Sequence, residues 1–500
     1  MTKIPKTMAT QHPDNVRAPY WKKNGDGFIS SSEETTECMD AFRNLGIEEF
    51  MWDWEGKFAD EAVVDRLFHH HFDYFKKNPL GLKRRLTFRI PNTWQEKGYS
   101  LIRSLMVVLT SEDFARDLKF YAPPIFEIIL PMTENAEQLI FIQKTFRELS
   151  RLKSRTFSKF HKNTEYVRII PLFEGVDTQI NAKKILKKYL ELHQKTFKFT
   201  PSSLRVFIAR SDPALLSGLI PTVLANKIIL SDLREMEKGY GIKFFPIIGA
   251  GSLPFRGGLS PLNMKKFLLE YPGISTITLQ PAFRYDYPLP KVRQAIKYYN
   301  KRPTQKSQVV SSVDRKELLI LIAVFEKEYQ SRLSKVVPDL RHIFESFPCR
   351  RERHPHIGLF SYDRKINKVR LPRATTFTGS FYSLGIPPEF LGIGAFTNIK
   401  LNDFTLINKY YKNHIRDIVH AGKFLNWGNL KKLGEKNIAW QDIDHDIKRF
   451  ESIFSIKCGP RRTKSEPYVK LTNLLLAAKD SHIKVQKLIV QSGILRKSLG

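Results

Sequence analysis

Two apolar runs that each end in a carboxylate most restrict the folds open to this chain. The first, Tyr-Val-Arg-Ile-Ile-Pro-Leu-Phe-Glu, occupies 166–174 and stops at Glu174, and the second, Leu-Arg-Val-Phe-Ile-Ala-Arg-Ser-Asp, occupies 204–212 and stops at Asp212. Residues 178–196 between them carry a helical pattern. Strand, crossover helix and strand make the parallel unit whose C-terminal strand ends lie on one edge of a sheet. Both acids are therefore expected on one side, where two carboxylates can hold one hard divalent cation with water and substrate oxygens completing its shell. Helix capping, or pairing with Arg and Lys, is the competing use of such acids.

The alternation recurs along the chain. Strands are predicted at 50–55, 86–90, 125–132, 243–249, 275–280 and 357–362, with helices at 32–45, 60–77, 100–119, 213–236 and 261–270 and long helices between 292 and 347. This predicts an α/β fold, a (β/α)8 TIM barrel over about 48–400, with a doubly wound open sheet as the alternative. Amphipathic runs at 402–420, 440–454 and 468–490 predict additional α-helices that make residues 400–500 helical and pack on the barrel, one elaborated domain over 1–500. Glu55, Arg89, Glu174, Asp212, Arg256 and Gln280 all fall at or just past predicted C-terminal strand ends, the face on which barrel enzymes keep their sites. Residues 1–48 show no strong period, but 11–15 set His12 beside Pro13 in a turn-like context.

Composition bears on the partners. Lys and Arg number 82 against 50 Asp and Glu, a net charge of +32. The basic residues are spread along the chain, without a basic tail, an RNA-binding strand signature or zinc-finger spacing, so a solvated basic surface is expected and no nucleic acid. No run of 18 apolar residues occurs, and no membrane association is expected. The N-terminal residues have no apolar core of a secretory signal, and three widely spaced cysteines, Cys38, Cys349 and Cys458, suit a reducing cytoplasmic location.

Residues 249–258, Gly-Ala-Gly-Ser-Leu-Pro-Phe-Arg-Gly-Gly, lack both the Walker ending and the dinucleotide fingerprint. A loop of this kind can bring backbone N–H groups to an oxyanion while Arg256 supplies charge. Arginine suits planar, bidentate binding of carboxylate or phosphate. Acids, arginines and this loop on one rim point to a substrate carrying both carboxylate and phosphate, bound through a divalent metal.

Several motifs resemble one family from end to end: Thr-Met-Ala-Thr-Gln-His-Pro-Asp-Asn at 7–15, Met-Trp-Asp-Trp-Glu-Gly-Lys at 51–57, Phe-Glu-Ile-Ile-Leu-Pro-Met-Thr at 126–133, Pro-Leu-Phe-Glu at 171–174 and Ala-Arg-Ser-Asp-Pro-Ala at 209–214. Pro-Phe-Arg-Gly-Gly at 254–258, Phe-Arg-Tyr-Asp-Tyr-Pro at 283–288 and Leu-Pro-Arg-Ala at 371–374 continue the match. In these the chain resembles the archaeal-type phosphoenolpyruvate carboxylases. The resemblance implies a (β/α)8 barrel, a requirement for Mg²⁺ or Mn²⁺, and the reaction of phosphoenolpyruvate with bicarbonate to give oxaloacetate and phosphate. It places Glu174 and Asp212 as metal ligands and His12 as the catalytic histidine. Arg89, Arg256 and Arg373 are implied to bind phosphate or stabilise the transferred group, with Gln280, Arg284, Gly257 and Gly258 on the substrate side. Gly500 matches the terminal glycine typical of the family, and a homotetramer is implied. In larger relatives the Gly-rich loop carries a His and a second Arg, where this chain has Ile248 and Ala250. The residues alone leave two other readings: a metal-dependent barrel lyase or aldolase acting on pyruvate-like acids, and a basic nucleic-acid-binding protein.

Overall fold

The computed structural model describes residues 3–23, 25–57, 60–96, 99–157, 164–352, 364–366, 369–460, 466–478 and 481–500. Eight parallel strands close in chain order into a barrel: β1 (Thr7–Ala9), β2 (Glu49–Asp53), β3 (Arg85–Arg89), β4 (Glu127–Leu130), β5 (Arg168–Phe173), β6 (Ser203–Ala209), β7 (Lys243–Gly249) and β8 (Thr276–Leu279). Closure comes from β1, which pairs with β8 through Met8 and Thr278 and with β2 through Met8 and Glu49. The open-sheet alternative is thereby excluded. The strand expected at 357–362 lies outside the described residues, and the barrel closes without it. Three residues are too few to show a period, so β1 owes its extended form to partners on both sides rather than to its own pattern.

Side-chain alternation divides the barrel interior into layers. Glu49, Arg85, Glu127, Arg205 and Thr276 form a hydrogen-bonded ionic plug at the N-terminal end. Met8, Met51, Ile129, Ile170, Leu172, Phe207 and Ile247 form the apolar middle. Continuing the same phase by twos brings His12, Asp53, Glu55, Arg89, Glu174 and Gln280 to the C-terminal mouth. The predicted rim residues are thus inward-facing positions of the strands that build the core.

The helix expected at 213–236 is broken at Gly218, where φ is +92° and an added Cβ would meet the Tyr329 ring at 2.8 Å. It becomes Ser211–Ser217 and Leu219–Tyr240, and this break lets the first short helix start at the mouth of β6. Residues 400–500 are helical wherever described apart from short connections, and the run expected at 402–420 divides into Leu401–Tyr410 and His414–Gly422. These helices share one apolar core with residues 214–228 of the barrel layer: Leu215 and Leu224 pack in the same cluster as Phe381, Trp440 and Ile489. No helix of the described residues is long and apolar enough to cross a membrane.

Candidate active site

His12, Glu55, Arg89, Asp212, Arg256 and Arg373 line one cavity at the barrel mouth, together with Arg364. Asp212 and Arg364 also line an adjoining cavity of about 210 Å³, which adds Glu174, Met132 and Thr133. A larger cavity of about 620 Å³ lies among the C-terminal helices beside Lys432 and Lys436, away from every strand end. Convergent charge rather than size identifies the site.

Carboxylates hold Arg89 on three sides. Its Nε and Nη2 donate to Asp53 at 2.9 and 2.8 Å, and Nη1 reaches Glu55 at 2.7 Å and Glu174 at 4.0 Å. Burial opposes its charge, but Asp53 and Glu55 overcome that and hold the guanidinium firmly protonated. Glu174 accepts the Met132 N–H at 2.7 Å. Met132 has φ +47°, a left-handed conformation that is strained for a side chain of this kind and here aims its N–H at the acid. Burial, then the charges of Asp212 and Glu55, pushes the Glu174 carboxyl up to about 8. Asp212 goes the other way: burial opposes ionisation, and Arg364, whose Nε donates at 2.6 Å, outweighs it.

The two acids repel each other across one cavity, and Glu174 Oε1 and Asp212 Oδ2 have no hydrogen-bond donor among the described residues. Such oxygens suit a hard divalent cation. Among the described residues no group of three or more His, Cys, Asp or Glu forms a ready cage, so water and substrate would have to complete the shell. The donor set therefore fits a cation shared with substrate.

His12 hydrogen-bonds Thr10 Oγ1 through Nδ1 at 3.1 Å. Burial first, then Arg89 and Arg256, lowers its pKa well below the ordinary histidine value. The ring is thus neutral at neutral pH, prepared to accept a proton rather than to donate one.

Arg256 is fully buried. Nη2 donates to Gln280 Oε1 at 2.8 Å, Nη1 to Gly500 O at 2.5 Å and Nε to Ser211 Oγ at 3.2 Å, while Asp14, the nearest acidic side chain, is 3.5 Å away. Burial lowers its pKa, and Asp14 and Asp212 offset this only in part. A buried guanidinium in the lining of the cavity is placed to attract an anion. The Gly257 N–H donates to Pro254 O and the Gly258 N–H to Leu253 O, so neither glycine amide is open to an oxyanion as the sequence suggested. Their role is conformational: φ is +124° at Gly257 and +70° at Gly258, and a Cβ on Gly257 would lie 2.6 Å from that of Ala250.

The structure thus brings together His12, Arg89, Glu174, Asp212, Arg256, Arg373 and, through Arg256, Gln280. Arg284 stands apart. Its Nη2 donates to Glu37 at 2.8 Å and to the Thr10 carbonyl at 2.7 Å, which makes it a buried strut behind β1 rather than a cavity group. Sequence reasoning did not single out Arg364 or Asp14. Arg364 lies two residues past the strand expected at 357–362, so the strand-end rule that singled out the other rim residues would also have singled it out.

Comparison with known proteins places these features in a family. The profile described as "Phosphoenolpyruvate carboxylase" matches residues 4–500. The chain is 41% identical over its whole length to a phosphoenolpyruvate carboxylase of Leuconostoc mesenteroides, covering 99% of that protein. It is 42% identical to one of Oenococcus oeni, again over the whole chain and 99% of the relative. A phosphoenolpyruvate carboxylase of the archaeon Metallosphaera sedula is 34% identical over the full length of both chains. With the closed barrel and its charged mouth in place, the chain belongs to the phosphoenolpyruvate carboxylase family, of the archaeal type.

Proposed function

We propose that the barrel mouth carboxylates phosphoenolpyruvate with bicarbonate, giving oxaloacetate and phosphate, with Mg²⁺ or Mn²⁺ held by Glu174 and Asp212. The observation that carries this reading is the facing pair of acids inside a rim that also presents Arg89, Arg256, Arg364 and Arg373. Acids alone would suit many metal enzymes. Acids beside several arginines suit a substrate with a carboxylate and a phosphate on neighbouring atoms.

Bicarbonate attacks phosphorus, the bond from phosphorus to the enol oxygen breaks, and carboxyphosphate and the pyruvate enolate result. Charge spreads over the phosphoryl oxygens, and Arg256 and Arg373 meet it in a pocket that holds little water. Gln280, Ser211 and Gly500 O fix the Arg256 guanidinium in place. The divalent cation, when bound, supplies positive charge to the oxygen that becomes negative as the phosphoryl group leaves. Neutral His12 takes the carboxyl proton of carboxyphosphate and returns it to the departing phosphate, as CO₂ is released. The enolate carbon then bonds to CO₂. Enclosure by the arginine-bearing segments keeps solvent protons from the enolate, which would otherwise be lost as pyruvate.

The discriminating experiment follows oxaloacetate and phosphate together, with and without bicarbonate. Equal yields that require bicarbonate support the carboxylase. Turnover of a pyruvate-like acid without bicarbonate would instead indicate a lyase.

A further inference from the structure

We propose that Glu389, supplied by the segment after the helix Ala374–Leu384, is a positioning residue that sets Arg256 and Arg373 relative to one another. The inference rests on the reading of Arg256 as an anion-binding group of the reaction.

Pro254 has no N–H, the Arg256 N–H donates to Leu253 O, that of Gly257 to Pro254 O and that of Gly258 to Leu253 O. From 254 to 258 only the Phe255 N–H leaves the loop, and it donates to Glu389 Oε1 at 2.8 Å. The same oxygen accepts the Tyr382 hydroxyl at 2.7 Å. Tyr382 belongs to the helix Ala374–Leu384, whose N-cap is Arg373. One carboxylate oxygen therefore ties the turn that carries Arg256 to the helix that begins at Arg373. The Phe255 ring reinforces the joint by packing 5.7 Å from Phe377 of that helix.

An acid is a costly group for this purpose. Glu389 is 1% exposed, and among the described residues its Oε2 has no hydrogen-bond partner and no cation pairs with it. An apolar residue would be easier to bury. What the acid contributes is a strong acceptor for two donors from two elements that both reach the site. The Pro387–Pro388 pair restricts the backbone ahead of it, and Pro388–Phe390 forms a short turn, so the acceptor is held from behind.

The test is a double-mutant cycle of Glu389→Leu with Arg256→Lys, with Glu389→Gln and Tyr382→Phe as companions. Glu389→Leu should lower kcat on the order of 10²-fold, the effect of a roughly 1 Å misplacement, with a smaller change in KM. Glu389→Gln keeps the accepting oxygen and should restore kcat to within about threefold, given the modest net worth of one bond. In the Arg256→Lys background, Glu389→Leu should cost less than about threefold, because coupled sites are not additive. Full additivity would overturn the proposal and mark Glu389 as a structural residue only. Wild-type kcat in a folded Glu389→Leu protein would overturn it too. Wild-type kcat in Arg256→Lys alone would overturn the reading of Arg256 instead, which separates the two failures. Should Glu389→Leu not fold, Tyr382→Phe removes one of the two donors, and a several-fold fall in kcat with Glu389→Gln active supports the joint, whereas unchanged kcat sinks it.

Discussion

The two ends of the barrel use the same kinds of residue to opposite effect. At the N-terminal end Arg205 donates to Glu49 at 2.6 and 2.8 Å and to Glu127 at 3.1 Å, and Arg85 reaches Glu127 at 2.7 Å. Burial opposes ionisation of Glu49, yet Arg205 pulls its pKa below the usual carboxylate value. Two acids and two arginines close on each other and leave no reason for a ligand. At the C-terminal mouth the charges are mismatched: Arg89 takes Asp53 and Glu55, Glu174 is pushed up to about 8, and Arg256 has no Asp or Glu side chain closer than 3.5 Å. The lesson concerns pairing rather than charge content. A satisfied ionic cluster holds the fold, and an unsatisfied one is kept for what it binds.

The sharpest way to break the contrast is to unpair the plug. Arg205→Met should cost about 3–5 kcal/mol of stability, since it leaves Glu49 and Glu127 buried without their shared partner. Urea denaturation measures this, and kcat per folded molecule should stay unchanged. Arg284→Gln should behave in the same way, destabilising through Glu37 with little effect on KM, because Arg284 belongs to the paired kind of cluster.

Glu389 gives a pH test. Its carboxyl is pushed up to about 7 from 4.5, first by burial and then against the bonds from Tyr382 and Phe255. Because the folded pKa is the higher one, the neutral acid's contribution is complete below pH 4.5 and is lost as pH rises through about 7. A shift of this size corresponds to roughly 3 kcal/mol. Glu389→Gln should remove this slope from the unfolding free energy, and a slope that persists would place its origin in other groups.

A smaller effect is expected at the loop. Gly257→Ala must hold φ at +124° and crowd Ala250, a strain of about 1–3 kcal/mol. It should lower kcat through displacement of Arg256 while the plug, and thus most of the stability, is untouched. Thermal unfolding beside initial rates separates the two.

Much of this contrast was legible in the order of residues. Seven strands and the polar groups at their ends follow from local alternation, which needs only neighbours along the chain. Glu174, Asp212 and Arg256 were found in that way. What escaped depends on distant partners. β1 is three residues long and is a strand because β2 and β8 flank it. Arg284 stands four residues from Gln280, yet the intervening turn directs it backwards to Glu37, so nearness in sequence misled. Asp14 and Gly500 meet at Arg256 from opposite ends of the chain, a closure that no local pattern signals.

The most direct measurement takes metal-stripped wild type and Asp212→Asn through the oxaloacetate assay, with phosphoenolpyruvate and bicarbonate, before and after Mg²⁺ is restored. Oxaloacetate that forms only on restoring Mg²⁺, and at least about 10²-fold more slowly in Asp212→Asn, is the predicted result. Equal rates in the two proteins, or full activity without a divalent cation, would contradict the account.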